Sequence, residues 1–418
     1  MNGQCDRQIL FIVFALVIIG LLAVYSSTSV ITPELAEKQN GKAVQFFFLK
    51  KQLYALFLGV LLLLLLSRVN LRILKICALP VLVISLIVLL LVFTSLGISV
   101  KGATRWINLT LFSFQPSELV KLAMILFLAW YMSREAFKKD NFIYFIIPIG
   151  IMGIFQVIFL MQPDFGASIS LAILTISMLL LGGVRLRFIG GVSFIALIAF
   201  TALLISEPYR LRRVTAFIDP WEDPLRSGFQ LIQSYIALGS GGLTGVGIGE
   251  SKQKLAFLPE VHTDFIFSLI GEEAGFFGAS IVIILFCLLF YRGILIASKM
   301  KDPFAYYIAC GTVLMITIQA IINFSVVTGL APTKGLPLPF VSYGGSSLLI
   351  SMMAIGLLIN VSRYQESNAL SQAEKIIDDK TLVNRVNHAK NIRNWQRGLG
   401  YTRCKAILCD QELFKKTL

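Results

Sequence analysis

The chain has 418 residues, of which 56% are hydrophobic and only 14% charged, with a mean hydropathy of +0.80 and a formal net charge of +14. A soluble domain carries about a quarter charged residues, so this composition excludes an ordinary soluble enzyme and points to a polytopic membrane protein. Cys5, Cys77, Cys287, Cys310, Cys404 and Cys409 lie mostly in apolar runs or near the chain ends, without metal-ligand spacing or pairing inside polar loops, which argues against a disulfide framework or a cysteine metal centre.

Apolar runs fall at residues 8 to 27, 52 to 67, 76 to 96, 117 to 133, 142 to 161, 167 to 184, 187 to 206, 264 to 291, 304 to 326 and 343 to 361. They predict an all-alpha fold of ten transmembrane helices, several near the lower length limit for crossing roughly 30 Å of hydrocarbon. The first run is too long, and too poorly followed by a small-residue cleavage site, for a removed signal peptide, so it reads as an anchor. Ten spans put both termini on one side. Arg68, Arg72, Lys75, Arg134, Lys138, Lys139, Arg185, Arg187, Arg292, Lys299 and Lys301 share that side with the tail after Arg363, which the positive-inside rule makes cytoplasmic. The expected organisation is a membrane domain over 1 to 363, a large outer loop over 207 to 263 within it, and a basic cytoplasmic tail over 364 to 418. The tail suits anionic lipid or a cytosolic partner; no recognition element for nucleic acid accompanies its charge.

The outer loops depart from that rule. Lys101 and Arg105 sit in the third connection, Arg210, Arg212, Arg213, Arg226, Lys252 and Lys254 in the seventh, and Lys334 in the ninth. Such cations suit an anionic ligand, phosphate or pyrophosphate, although a solvated loop surface with headgroup contacts would carry them too. In chain order, KGATRWINL puts Trp106 beside Lys101 and Arg105, as an interfacial anchor or as a cover for a sugar or lipid. FQPSELVK starts a helix with Pro116 near its first turn and Glu118 just inside, and MQPDFGAS offers Gln162 and Asp164 at the next outer turn.

A loop as long as 207 to 263 calls for internal structure, and residues 229 to 238 predict a short helix. Gly239, Gly241, Gly242, Gly245, Gly247 and Gly249 then allow tight turns, which would suit a closely held glycan or isoprenoid chain or a hinge. The series is neither a dinucleotide fingerprint nor a Walker loop. PEVHTDFIFSLIGEE places Glu260, His262, Asp264, Glu272 and Glu273 at and inside the edge of an apolar run. A buried carboxylate costs several kcal/mol without a partner. Function is the leading explanation; the alternative is that Asp264 caps the helix from Phe265 while Glu272 and Glu273 make satisfied packing contacts. Lys334 and Gly335 precede PLPFVSYGGSS, a Pro/Gly-broken approach to the last span. Irregular backbone at membrane depth is tolerated only against protein or a wet cavity, so this segment points to a central cavity.

KGATRWINL, FQPSELVK, MQPDFG, RLRRVTAFIDPWEDPLRSGFQLIQS, GVGIG, SKQKLAFLPEVHTDFIFSLIGEE and PFVSYGGSS, in this order over residues 8 to 363, resemble the SEDS family of bacterial cell-wall polymerases. His262 and the DPWEDP run are more similar to its division member than to its elongation member. The resemblance implies a peptidoglycan glycosyltransferase that joins lipid II, the undecaprenyl-pyrophosphate-linked disaccharide pentapeptide, into β-1,4-linked glycan at the outer face of the bacterial cytoplasmic membrane, at the division septum. Asp264 matches the family's essential aspartate and is the expected general base, taking the proton of the acceptor 4-hydroxyl while the pyrophosphate-linked lipid leaves with inversion. Lys101, Arg105, Trp106 and Lys334 are the expected lining of the substrate cavity, and Arg212 and Arg213 are candidates for pyrophosphate or partner contact. Glu118, Gln162, Asp164, Glu260, His262, Glu272 and Glu273 are supporting candidates. The carboxylates among them suit site tuning or a divalent cation, Mg2+ or Mn2+, without a clustered pattern marking a dedicated metal site. The resemblance also implies a class B penicillin-binding protein and other division proteins as partners. The rival readings are a lipid II flippase, which inverted repeats would favour, and a structural division-site scaffold.

Overall fold

Short polar residues set most of the helix starts. Asp6 caps α1 (Arg7–Ser27), Asn70 caps α3 (Leu71–Leu90), Asn141 caps α5 (Phe142–Met161), Asp164 caps α6 (Phe165–Leu181) and Asp302 caps α10 (Pro303–Val327), each accepting a first-turn backbone N–H. Pro116 and Pro303 occupy the first turns of α4 (Pro116–Met132) and α10, where the missing N–H has no partner to lose. Further helices are α2 (Val44–Leu66), α7 (Leu186–Ile205), α8 (Phe229–Ser240), α9 (Ile266–Ser298) and α11 (Gly345–Tyr364), and residues 215–218 are also helical. The structure is a computed structural model that describes residues 6–28, 44–100, 103–108, 113–205, 215–225, 228–252, 262–333 and 335–364. Cys5–Ser362 forms one compact unit, and Arg363 and Tyr364 are the described residues of a second.

A helix occupies each of the ten predicted runs. Seven of them, α1, Phe48–Leu66 of α2, α3 with its 3-10 extension to Phe93, α5, α9, α10 and α11, are long and apolar enough to cross a membrane. Phe165–Leu181 and the Leu186–Ile198 part of α7 are apolar but shorter, and α4 has 17 residues that include Glu118 and Lys121. The chain is therefore a multi-pass helical protein, with seven crossings supported directly by length and composition.

Burial separates the helices into inner and outer members. All of α4 except Leu119 and Trp130 is buried, and the apolar window of α11 is 89% buried. Around them the outer helices leave large apolar side chains exposed, among them Phe57 and Ile76 at 75%. Hydrocarbon, not water, suits that surface.

The third connection holds a small antiparallel sheet that the sequence reading did not anticipate. Strands β1 (Gly97–Val100), β2 (Ala103–Asn108) and β3 (Ser113–Phe114) lie in that order, with Ile98 opposite Trp106 and Ile107 opposite Phe114. Each strand is too short for its alternation to register against the apolar runs on either side.

In the seventh connection, α8 forms where a short helix was expected, and the glycine-rich stretch after it has a structural partner. Gly275 breaks α9 with φ 66° and ψ −164°, a region open essentially to glycine alone. The break strips helical partners from backbone on both sides, and the glycine-rich stretch replaces them. Val246 N donates to Glu272 O at 3.0 Å and Gly247 N to Glu273 O at 3.1 Å, while Phe276 N and Phe277 N donate to Gly242 O and Leu243 O at 2.9 and 3.2 Å. The close approach that Gly245 permits is thus to this chain's own helix; a Cβ there would run into Glu273 O. At Gly242, Gly245 and Gly247 the close approach is backbone pairing inside the protein.

A Cβ on Gly275 would collide with Gly245 N and Leu243 O, whereas one on Gly150, in α5, meets nothing within 4 Å. Gly275→Ala is expected to cost about 2 kcal/mol or more. Thermal unfolding of the detergent-purified variants checks this: Gly275→Ala lowers the midpoint, while Gly150→Ala leaves it level or raises it.

Candidate functional site

Residues 262–265 form the turn that leads into α9, and the irregular segment 335–344 leads into α11. Three contacts stitch the two together. Asn323 Nδ2 donates to the main-chain carbonyls of Asp264 and Leu336, each at 2.8 Å. Ser342 Oγ donates to Thr263 O at 2.5 Å and accepts from Leu338 N at 2.8 Å. Tyr343 N donates to His262 O at 2.9 Å. His262, Phe48 and Tyr343 then make an aromatic cluster with ring centroids 5.2 to 5.8 Å apart. Gln52 of α2 holds the far side, donating to Ser342 O at 3.3 Å and accepting from Gly344 N at 3.4 Å.

This stitching fixes the half-buried Asp264 against Gly335. Gly335 has φ 67°, and a Cβ there would lie 3.2 Å from Asp264 Oδ2, so the glycine leaves room for the carboxylate on a backbone conformation that favours glycine. The N-cap of α9 is Phe265 without a side-chain cap bond. The capping alternative for Asp264 therefore does not describe this helix start.

Behind the turn runs a buried polar chain. Lys121, 2% exposed, donates to Glu118 Oε1 at 2.8 Å and to Gln319 Oε1 at 2.7 Å. Gln319 Nε2 donates onward to Pro337 O at 2.9 Å and to Ser347 Oγ at 3.3 Å. Gln319 and Asn323 are four residues apart on α10, so their amides lie on one face, toward the irregular segment. Of this chain the sequence reading singled out Glu118 only. The signals for the others were present: a lysine three residues after Glu118 in an apolar helix, and two amides at helical spacing in ITIQAIINF.

The motifs of the outer turns also interlock. Arg105 on β2 donates through Nε to Gln162 O at 3.2 Å and through a terminal nitrogen to Pro163 O. Gln162 is buried and donates to Leu89 O at 3.2 Å. Asp164 both caps α6 and accepts from Gln115 Nε2 at 3.1 Å, while Gln115 N donates to Ser346 Oγ at 2.9 Å and Ser346 Oγ to Ser113 O at 3.1 Å. Trp106, partly buried, faces Ile98 across the sheet. Asp164 thus serves a helix start while Gln162 ties the α5–α6 turn to α3, and Arg105 is engaged by the same turn through two of its donors.

Glu272 and Glu273 lie about two turns into α9, whose first residue is Ile266. Glu272 accepts from Ser251 Oγ at 2.5 Å and Lys252 N at 3.0 Å, and Glu273 accepts from Ser26 Oγ at 2.5 Å. They hold α1 and the end of the glycine-rich stretch to the break in α9, as the packing alternative anticipated. Among the described residues no three His, Cys, Asp or Glu side chains converge as a metal site. Lys101, Arg212, Arg213, Glu260 and Lys334 lie outside the described residues.

Breaking a buried ion pair on one side leaves an uncompensated charge, a loss of roughly 3 to 5 kcal/mol. Lys121→Met should therefore destabilise strongly by itself, and Glu118→Leu in the same chain should recover most of that loss. A double-mutant cycle of thermal unfolding measures it; additive losses would show that the two charges do not depend on each other.

A family model described as "Cell cycle protein", FTSW_RODA_SPOVE, matches residues 7–367. The chain is 43% identical over 360 residues to the probable peptidoglycan glycosyltransferase FtsW of Geobacter sp. (strain M18), covering 85% of this chain and 96% of that protein. It is 41% identical over 361 residues to stage V sporulation protein E of Bacillus subtilis (strain 168), covering 86% and 97%. Among solved structures, it is similar to a chain from a study of how a peptidoglycan synthase complex coordinates polymerization and crosslinking, with TM-score 0.70, 30% identity and 86% and 98% coverage. The rod shape determining protein RodA of Thermus thermophilus gives TM-score 0.62 at 27% identity, with 86% and 97% coverage. The chain belongs to the FtsW/RodA/SpoVE family of cell cycle proteins.

Proposed function

We propose that this chain is a peptidoglycan glycosyltransferase of septal cell-wall synthesis that polymerises lipid II, with Asp264 as general base. The observation that carries the reading is the seat of Asp264: a carboxylate on a turn held by Asn323 and Ser342 against the glycine-opened segment at 335. A base must be held in place to accept a proton from an incoming hydroxyl, and three tethers to two other segments do this.

In the reaction the Asp264 carboxylate takes the proton of the acceptor sugar's 4-hydroxyl. The oxygen attacks the anomeric carbon of the donor, and the bond from that carbon to the undecaprenyl pyrophosphate breaks, its electron pair leaving with the phosphate oxygen. The anomeric configuration inverts. A pyrophosphate needs no proton to leave, so one carboxylate suffices where glycosidases use two; the spacing of Asp264 from Glu272 and Glu273 supports this. Lys101, Arg105, Lys334, Arg212 and Arg213 are the proposed cationic partners of the leaving group, with Trp106 at the edge of the cavity. Mg2+ or Mn2+ would act as a further electrophile on the pyrophosphate.

The site faces outward in this reading, because the exposed Arg68, Arg72, Arg134, Arg185 and Arg187 gather at the opposite end of the bundle. Both termini are then cytoplasmic. A class B penicillin-binding protein is the proposed partner, supported by the likeness to a chain of a synthase complex that polymerises and crosslinks.

The decisive assay supplies lipid II to the protein reconstituted with its class B partner, in Mg2+, in Mn2+ and in EDTA, and measures glycan length. Asp264→Asn is expected to reduce polymerisation by about 10² to 10⁴-fold while lipid II binding persists. Equal polymer from both proteins would remove Asp264 from the chemistry. Movement of lipid II between leaflets without sugar joining would favour the flippase instead.

A further inference from the structure

The end of the bundle away from Asp264 carries a concave site that the polymerase reaction does not use. An open, shallow depression of about 760 Å³ lies between the loop before α5 and the start of α7, lined by Lys138, Lys139, Asp140, Arg187, Phe142 and Phe188. Among the described residues none of these three cations has an acidic partner within ion-pair distance. The lining carboxylate, Asp140, is bound by Arg185. The Arg185 hydrogen bond, with the nearby charges of Arg185, Arg187 and Lys139, holds Asp140 below the usual carboxylate range, and its single negative charge faces four cations, Lys138, Lys139, Arg185 and Arg187.

Two helix starts add to the field. The loop carrying Lys138 and Lys139 runs into α5, and Arg187 is the second residue of α7; neither helix has an acidic residue in its first turn. Each brings the positive end of a helix dipole to the cavity. Part of its lining is aromatic. Phe188 packs on Phe142 and Phe145 with centroids 5.5 and 5.7 Å apart, and the Arg187 guanidinium lies 5.0 Å from the Phe188 ring centre. Beside the cavity, Ile143 and Leu186 are 62% and 73% exposed on the helices that continue into the apolar zone.

We propose that this cavity binds the phosphate of an anionic phospholipid, with the acyl chains running along α5 and α7. The positive-inside rule alone explains scattered cations at this level. It does not explain three unpaired ones around a single concavity, beside aromatic rings, at two helix starts and next to exposed aliphatic side chains. A phosphate suits the head of such a site and hydrocarbon its flank, a combination that a lipid supplies in one molecule.

The test is native mass spectrometry of the full-length protein carried in mixed phosphatidylglycerol and phosphatidylcholine. The wild type is expected to retain phosphatidylglycerol selectively. Replacing Lys138, Lys139 and Arg187 together with alanine should cut that retention roughly tenfold or more. Removing the same charge elsewhere at this end, with Arg68→Ala, Arg72→Ala and Lys299→Ala, should leave it nearly unchanged. Equal losses from the two triple variants, or no loss from the first, would overturn the proposal. So would binding of inorganic phosphate to lipid-free protein together with loss of phosphatidylglycerol in millimolar phosphate, which would mark a site for a soluble anion. Arg187→Gln, a single change at an exposed side chain, carries the same comparison if the first triple variant does not fold.

Discussion

Polar backbone packed among apolar helices has to find its partners within the protein, and the end of this bundle that carries Asp264 is organised around that constraint. Helices meet it by themselves; the turn at 262–265, the segment 335–344 and the break at Gly275 do not. Each is met by a particular donor or acceptor from another element. Asn323 and Ser342 serve the first two, and the glycine-rich stretch serves the third by lending its own backbone. Removal of these partners would leave buried carbonyls and amides without a hydrogen bond, a loss of roughly 1 to 3 kcal/mol each.

Charge obeys the same constraint with higher stakes. Lys121 is as buried as the apolar side chains around it, and its charge is supported by the Glu118 carboxylate and the Gln319 amide oxygen. Gln319 passes the support on to Pro337 and Ser347. An ion pair of this kind contributes little net stability, since the desolvation it requires is large. Its effect is positional: α4, α10 and the approach to α11 are held in one register by groups that none of them can leave unpaired. The turn of Asp264 rests on that framework through Asn323, one helical turn beyond Gln319.

Glu272, Glu273, Gln162 and Asp164 make hydrogen bonds that join elements. Asp264 has its main chain tethered by Asn323, and its carboxylate lies against the glycine at 335. At the other end, the cations around α5 and α7 lie on loops and helix starts, where long side chains reach water and headgroups. The two ends of the molecule thus differ, one joined by buried hydrogen bonds between elements and the other an open basic rim.

Composition and apolar runs determined the class of this protein, because roughly 20 consecutive apolar residues have few alternatives to a membrane helix. The ordered motifs carried the family, and short polar residues such as Asp164 and Asp302 marked helix starts by local chemistry alone. The small sheet at 97–114 was not legible, since its strands are too short to show a period. Lys121, Gln319 and Asn323 were visible as letters but not as a network, because each partner lies on a different helix and nothing local assigns it. Glu272 and Glu273 drew attention as buried carboxylates, and only the folded chain brought Ser251, Lys252 and Ser26 to them. The glycine series likewise announced a close approach without saying to what. Local sequence determines propensity and hydropathy, which are properties of neighbours along the chain; the partner of a buried polar group is a neighbour in space, and that was decided only by tertiary packing.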